Sequence, residues 1–210
     1  MKICSKDSTM KKVYIIAGII IVVIMVYSFS STQTQKKPKK DYVTRIMEMR
    51  LKKEQYFRTA SDSPFKDKNK IRDLKYFTPD KNYRVTAKLE INKDPETMEM
   101  GTSKGTQEIY YKYGYANFSL DDKKLKLLVL KKSLSDKMLF IAFRDQTSGK
   151  ETYGAGRYMD IAQTKPNEIT LDFNQAYSPY CAYNEAFVCP MPPLENQLTV
   201  AIKAGEKNFK

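Results

Sequence analysis

The sequence predicts a mainly β domain, an antiparallel barrel or sandwich with an N-terminal helix, preceded by one transmembrane helix. Three observations predict this class. An uncharged apolar run occupies residues 13–29, and apolar residues recur at helical spacing over 41–60. After Tyr83, short segments that alternate apolar and polar residues are separated by turn sequences, which is typical of antiparallel β-structure.

The apolar run VYIIAGIIIVVIMVYSF at residues 13–29 is long enough for a membrane anchor. As a helix it would span roughly 25 Å, slightly less than a hydrocarbon core of about 30 Å. A cleaved signal peptide is the alternative, although Ser28-Phe29-Ser30 is a poor cleavage site. We expect residues 1–12 to form a cytoplasmic tail of a single-pass protein of the cytoplasmic membrane. The soluble part would then lie outside the cytoplasm, in the cell envelope.

A linker and a helix are predicted between this run and the β segments. Residues 30–40, SSTQTQKKPKK, are polar and rich in lysine, so we expect a flexible linker. Residues 41–210 are expected to form one β-rich domain. Its helix would begin after Asp41, a suitable N-cap, and end before Pro64, because the residue that precedes a proline disfavours helical geometry.

The β segments follow a short basic turn or helix that is predicted at residues 66–74. They are predicted at 83–91, 96–101, 106–119, 124–131, 137–144, 152–161, 168–173 and 197–203. About 150 residues of such structure can enclose a single hydrophobic core.

Composition excludes several classes of function. The chain has no histidine, so Ser-His or Cys-His nucleophile pairs and histidine-ligated zinc or haem are excluded. The net charge is +13, of which the first 40 residues contribute +7 through eight lysines and one aspartate. Lysines beside an apolar span usually meet anionic headgroups, so we expect a membrane partner through residues 13–29 and no nucleic acid. No cofactor and no metal are expected.

A predicted hairpin carries the first group of candidate ligand-binding residues, Asp145, Thr147, Tyr153 and Arg157. The glycines between the last two would let a ligand approach the backbone, and an arginine fork can bind a carboxylate or phosphate. The alternative is a β-bulge with an internal ion pair between Arg157 and an aspartate.

The second group of candidates lies at the two ends of a proline-rich loop. Asp172 and Asn174 precede this loop, and Glu195 and Asn196 end it. Carboxylates at both ends could act as acid and base if they faced each other. The alternative is that these side chains cap turns through hydrogen bonds to the backbone.

Two cysteines lie within the same loop, Cys181 and Cys189. Outside the cytoplasm such a pair would form a disulfide. Buried thiols, a reactive thiol or a pair of ligands for a soft metal are the alternatives, although two cysteines without further ligands make a poor zinc site.

Several motifs, taken together, resemble the bacterial domain of unknown function 1684 family. The similarity extends from about residue 41 to the end of the chain. It implies the domain boundary and no established activity. The motifs are Lys75-Tyr-Phe-Thr-Pro-Asp80, Phe143-Arg-Asp-Gln-Thr-Ser-Gly149, Thr152-Tyr-Gly-Ala-Gly-Arg-Tyr158, Asp172-Phe-Asn-Gln-Ala-Tyr-Ser-Pro179, Cys181-Ala-Tyr183, Cys189-Pro-Met-Pro-Pro-Leu-Glu-Asn196 and Ala204-Gly-Glu-Lys207.

These features predict a membrane-anchored envelope protein whose domain binds a small polar or anionic ligand, or a protein partner, without catalysis. We expect Arg157 to lie in a pocket with Asp145 or Asp172, covered by residues 181–195. The alternative is a hydrolase without histidine that uses Asp145, Asp172 or Glu195.

Overall fold

The computed structural model of the chain describes residues 6–30 and 41–209, which divide into two units, Met1–Lys40 and Asp41–Lys210. The first unit contains α1, Lys6–Ser30, whose large apolar side chains from Val13 to Val26 are exposed. Within these described ranges, no helix has the combination of length and apolar composition that crossing a membrane requires. The predicted linker lies outside the described residues, apart from Ser30, which ends α1.

The second unit begins with the predicted helix, α2, Tyr42–Thr59. The Asp41 side chain accepts a hydrogen bond from the Val43 backbone N–H at 3.0 Å, so it caps the helix as expected. The predicted basic segment forms a 3-10 helix, Lys68–Asp73.

Within the described residues, seven antiparallel strands form one sheet that is nearly closed into a barrel. The strand order is β6-β5-β4-β3-β1-β7, and β2 pairs with β3 beside this path. The two end strands approach each other, and Tyr177 exchanges backbone hydrogen bonds with Tyr158 of β6 at 2.8 and 3.0 Å. The strands are β1 Arg84–Ile91, β2 Thr97–Gly101, β3 Gln107–Leu120, β4 Lys123–Lys131, β5 Met138–Phe143, β6 Arg157–Ala162 and β7 Glu168–Asp172.

Two β predictions need correction. The segment predicted as a strand at 152–161 enters the sheet only at Arg157, because a turn precedes it in which Gly156 has a φ of +100°. The segment at 197–203 is not a strand. It joins the end of β5 through separate backbone hydrogen bonds, such as Leu198 N–H to the Arg144 carbonyl at 2.8 Å.

The core lies inside the sheet. It combines alternating residues of the strands with side chains from residues 198–204, including Leu198, Val200 and Ile202. A second, aromatic cluster joins the end of α2 to the C-terminal loops through Phe57, Phe65 and partly buried tyrosines. α2 is therefore held against the barrel, and its inner face borders the segment that follows β7.

Candidate functional site

Asp145 and Arg157 meet in the interior of the domain. Arg157 Nη2 donates to Asp145 Oδ2 at 2.8 Å, and the two side chains are 0% and 1% exposed. The same nitrogen donates to the Ile202 carbonyl at 2.9 Å, and Nη1 donates to the Ala204 carbonyl. The arrangement is therefore the internal ion pair, one of the two alternatives that the sequence left open.

This geometry corrects the expected position of Arg157. Carbonyl groups of the C-terminal segment 202–206 cover its guanidinium group, where residues 181–195 were expected to cover it. Burial lowers the pKa of Arg157, and the Asp145 carboxylate opposes this effect. Since its hydrogen-bonded nitrogens serve protein acceptors, ligand binding by Arg157 stays a prediction that this geometry does not support.

Thr147 belongs to the same internal network, whereas Tyr153 does not. Thr147 N–H and Oγ1 donate to Asp145 Oδ1 at 2.8 and 2.6 Å. The Tyr153 hydroxyl group instead faces Cys181 Sγ at 3.9 Å. The candidates of the first group are thus divided between two locations.

Asp172 and Asn174 cap and connect elements, which was the alternative interpretation. Asp172 Oδ1 accepts from the Tyr42 hydroxyl group of α2 at 2.8 Å and from Asn174 N–H at 3.2 Å. Asn174 also exchanges hydrogen bonds with the backbone of Asp80 at 2.8 and 2.7 Å. These contacts fix the start of the segment that follows β7.

Glu195 and Asn196, the candidates at the other end of the proline-rich loop, contact different residues from Asp172 and Asn174. Glu195 is exposed and accepts from the Tyr115 hydroxyl group at 3.0 Å, whereas Asn196 is buried between β4 and β5. Among the residues that the structure describes, no hydrogen bond or ion pair joins Asp145, Asp172 and Glu195 to one another. The geometry therefore gives no support to a pair of catalytic carboxylates among them.

The two loop cysteines are neighbours and are free in the structure. The Cys181 backbone N–H donates to Cys189 Sγ at 3.2 Å, and both side chains are buried. A hydrogen bond from the Cys189 thiol lowers the pKa of Cys181 to about 6, while the pKa of Cys189 is raised by the same contact. The disulfide stays a prediction, and the ionised thiol beside its partner is the form that attacks in disulfide chemistry.

A cavity of about 240 Å³ lies between α2 and residues 174–177, which follow β7. None of the candidate residues except Asn174 lines this cavity. Its lining includes Ile46, Met49, Arg50, Lys53, Tyr76 and Tyr177.

Arg50 is the unusual member of this lining. It lies on the buried face of α2, where its neighbours along the helix are Tyr42, Ile46 and Phe57, and it is only 9% exposed. Its Nε and Nη2 atoms have no hydrogen-bond partner among the described residues, and its guanidinium carbon lies 4.5 Å from the centre of the Tyr76 ring. Burial lowers the pKa of Arg50.

Tyr76 adds a second donor without an acceptor. Its buried hydroxyl group has no hydrogen-bond partner in the part of the chain that the structure describes. Burial raises the pKa of Tyr76, so the hydroxyl group keeps its proton at neutral pH and can donate. Leaving such groups unsatisfied costs about 1–3 kcal/mol each, and more for a charged group. Arg50 and Tyr76 thus provide two donor groups in one cavity, and neither group has an acceptor among the described residues.

The neighbouring charged groups already have hydrogen-bond partners. Lys53 Nζ lies 2.7 Å from Oε2 of the buried Glu206, which also accepts from the Tyr183 hydroxyl group. The Tyr177 hydroxyl group donates to the exposed Asp160 at 2.6 Å. Among the described residues, Arg50 is the cation of this cavity that has no hydrogen-bonded counter-ion, and Asp160 is bonded to a neutral hydroxyl group.

A second cavity, of about 480 Å³, adjoins the first. Both are lined by Lys53, Asp160 and Tyr177, so these residues form their common boundary. The rest of the second lining is mostly aromatic and apolar and includes Tyr56, Phe57, Tyr180, Phe187, Val188 and Pro190. Its volume falls within the range of about 300–1,000 Å³ that is usual for small-molecule sites.

The sequence carried one signal for this site. Arg50 occupies a position of α2 that the helical pattern assigns to the core, together with Ile46 and Phe57. A charged residue at such a position needs a partner or a function. The other lining residues come from distant parts of the chain, so no local pattern could assemble them.

Comparisons with known proteins identify the family to which the chain belongs. Residues 69–207 match the model of a family described as a protein of unknown function (DUF1684). The chain belongs to the DUF1684 family. The match includes all of the strands and all of the candidates predicted from the sequence, whereas Arg50 and Lys53 on α2 precede it.

A solved structure resembles this DUF1684 protein in fold. It is the solution NMR structure of the uncharacterised protein from gene locus rrnAC0354 of Haloarcula marismortui, with 36% identity and a TM-score of 0.64. The similarity covers 78% of this chain and 92% of that chain. It supports the mainly β, antiparallel architecture. No curated protein matches the chain.

Proposed function

We propose that this DUF1684 domain binds a small carboxylate at Arg50 and that it does so without catalysis. One observation carries the proposal: Arg50 and Tyr76 line the same cavity, and both have buried donors without an acceptor. A carboxylate has only acceptors when ionised, and its two oxygens match the planar fork of a guanidinium group. Such a ligand would satisfy both residues at once.

The charge of the cavity favours a monoanion over a phosphate dianion. Lys53 is paired with Glu206, and the carboxylate of Asp160 lies at the boundary of the cavity. One positive charge without a hydrogen-bonded counter-ion remains, on Arg50. A second negative charge would find no cation of its own and would be repelled by Asp160, since like charges in a partly desolvated site are unfavourable.

Acetate binding to the full-length protein in lipid nanodiscs tests the proposal. With methionine methyl groups labelled by ¹³C, we expect acetate to shift the signal of Met49, which lines the cavity. The Arg50→Met variant should weaken binding at least about tenfold, because a charge-assisted hydrogen bond contributes about 1.5–3 kcal/mol. Its stability should not fall, since it removes a buried charge that has no counter-ion.

Arg45→Met is the matched control, because Arg45 is an exposed arginine of the same helix. We expect it to leave acetate binding unchanged. Arg50→Lys keeps the charge but loses the fork, so its affinity should fall between those of the wild type and Arg50→Met. If acetate leaves the Met49 signal of the wild type unchanged, or if Arg50→Met binds acetate as tightly as the wild type does, the proposal is wrong.

We also propose that residues 13–29 anchor this domain to the cytoplasmic membrane, with the domain on the outer side, although no helix of the described residues by itself has the length and apolar composition of a span. The support is the apolar surface of α1, which has no polar face between Val13 and Val26, together with the lysines that flank it in the sequence. A helix that is apolar on all sides is typical of a membrane span or of a buried helix. The protein would then be an envelope protein with a tethered binding domain.

Cell fractionation tests the anchor. We expect the full-length protein in the membrane fraction, where it should resist alkaline extraction. A double substitution, Ile20→Lys with Val23→Lys, should move it to the soluble fraction, since each charge near the centre of a span costs about 2.5–3.5 kcal/mol. Finding a soluble wild-type protein that begins near residue 31 would instead support the cleaved signal peptide.

A further inference from the structure

We infer that the carboxylate ligand carries an uncharged apolar chain, which occupies the second cavity while its head group lies at Arg50. This inference rests on the proposed function and adds the class of ligand, an amphiphile of the fatty-acid type. The two cavities share Lys53, Asp160 and Tyr177, so a ligand bound in the first can continue into the second.

The common boundary can accept a chain. The Lys53 ammonium group lies 4.9 Å from the centre of the Tyr177 ring and 5.4 Å from that of Phe57, and it binds Glu206. Because the ammonium group is held by Glu206 and these two rings, the aliphatic stem of Lys53 is available as apolar surface where the cavities meet. The charge of Asp160 at this boundary disfavours a second anionic group farther along the ligand.

The second cavity has the lining that a hydrocarbon chain requires. Tyr180 packs edge to face on Phe57 and Phe187, with ring centroids 5.9 and 5.3 Å apart. Val188 also lines the cavity and is 48% exposed, so a chain in contact with it would remove apolar surface from water. The first cavity supplies the charge that fixes one end, and the second supplies apolar contact without a further free cation.

A series of carboxylates measures the length of the chain that is bound. Acetate, butanoate, hexanoate and octanoate are titrated into the full-length protein in lipid nanodiscs, with empty nanodiscs giving the free concentrations. The methyl group of Met49 reports on the first cavity, and the methyl groups of Val188 report on the second. We expect affinity to rise about fourfold for each methylene group that is buried. The Val188 signals should shift only with the longer members.

Two variants assign the effect to the second cavity. Val188→Asp should weaken octanoate binding at least about tenfold and leave acetate binding unchanged, because it removes apolar contact and adds a repelling charge. Val43→Asp is the matched control, since Val43 is 42% exposed on α2 and lines neither cavity. Hexanol should bind far more weakly than hexanoate, because it lacks the charge that pairs with Arg50.

The titrations distinguish a failure of this inference from a failure of the proposed function. Equal affinity for acetate and octanoate, with Met49 shifted by both, would overturn this inference and leave the proposed carboxylate site intact. Octanoate that shifts Val188 but not Met49 would overturn the inference and the proposed function together. So would the absence of any shift throughout the series.

Discussion

Replacing Arg157 by methionine is expected to destabilise the domain by about 3–5 kcal/mol, because the Asp145 carboxylate would stay buried without its counter-ion. The pair is 2.8 Å apart, and both side chains are almost completely buried. The variant would also remove the donors that reach the carbonyl groups of Ile202 and Ala204. Urea unfolding of the full-length protein, followed by circular dichroism, measures the change.

A double-mutant cycle separates the ion pair from the loss of packing. Asp145→Asn keeps the oxygen that accepts from Thr147 and replaces the charged oxygen that accepts from Arg157 by an amide NH2 group. Asp145→Asn with Arg157→Met should therefore cost less than the sum of the two single changes. Lys88→Met is the control, because the Lys88–Glu90 pair is exposed and such pairs contribute about 0–1 kcal/mol. A loss below about 1 kcal/mol for Arg157→Met would show that the pair is not a fold determinant.

Local sequence patterns were sufficient to predict most of the helices and strands. The first five strands begin and end within one residue of their predicted bounds, because alternation and turn residues act over a few positions. The segment at 197–203 shows the limit of this reasoning. Leu198, Val200 and Ile202 do alternate and are buried, yet their backbone forms no strand. Alternation therefore predicted which side chains enter the core and could not predict which backbone groups pair.

The site was harder to predict because its parts are distant in sequence. Lys53 and Glu206 form an ion pair across 153 residues, and the cavity beside Arg50 exists only because α2 packs beside the segment after β7. The sequence drew attention to Arg157, whose surroundings contain glycines and tyrosines. Its burial is set by residues 202–206, which no local pattern connects to it.

Asn196→Ala is expected to destabilise the domain by about 3 kcal/mol or more, although Asn196 was predicted as a ligand-binding residue. Its side chain is completely buried and bonds to residues of both β4 and β5, strands whose register pairs Leu130 with Phe140 alone among the described residues. Its Oδ1 accepts from Leu128 N–H at 2.6 Å, and its Nδ2 donates to the carbonyl groups of Leu128 and Ala142 at 2.9 and 2.8 Å. Each backbone group left unsatisfied would cost about 1–3 kcal/mol.

Asn196→Asp gives the sharper test, because it keeps the shape and replaces the donor by a carboxylate oxygen that faces two carbonyl groups. Burial and these carbonyl groups would raise the pKa of the new carboxyl group above its usual value of about 3.9. The penalty should therefore be largest above the raised pKa and should shrink as the pH falls through it to below that usual value, where both the folded and the unfolded protein are protonated. Urea unfolding across this pH range measures the penalty.

Asn184→Ala is the control for Asn196→Ala, since the Asn184 side chain caps an outer turn by accepting one hydrogen bond from Ala186 N–H. If Asn196→Ala costs no more than Asn184→Ala, Asn196 does not join the two strands.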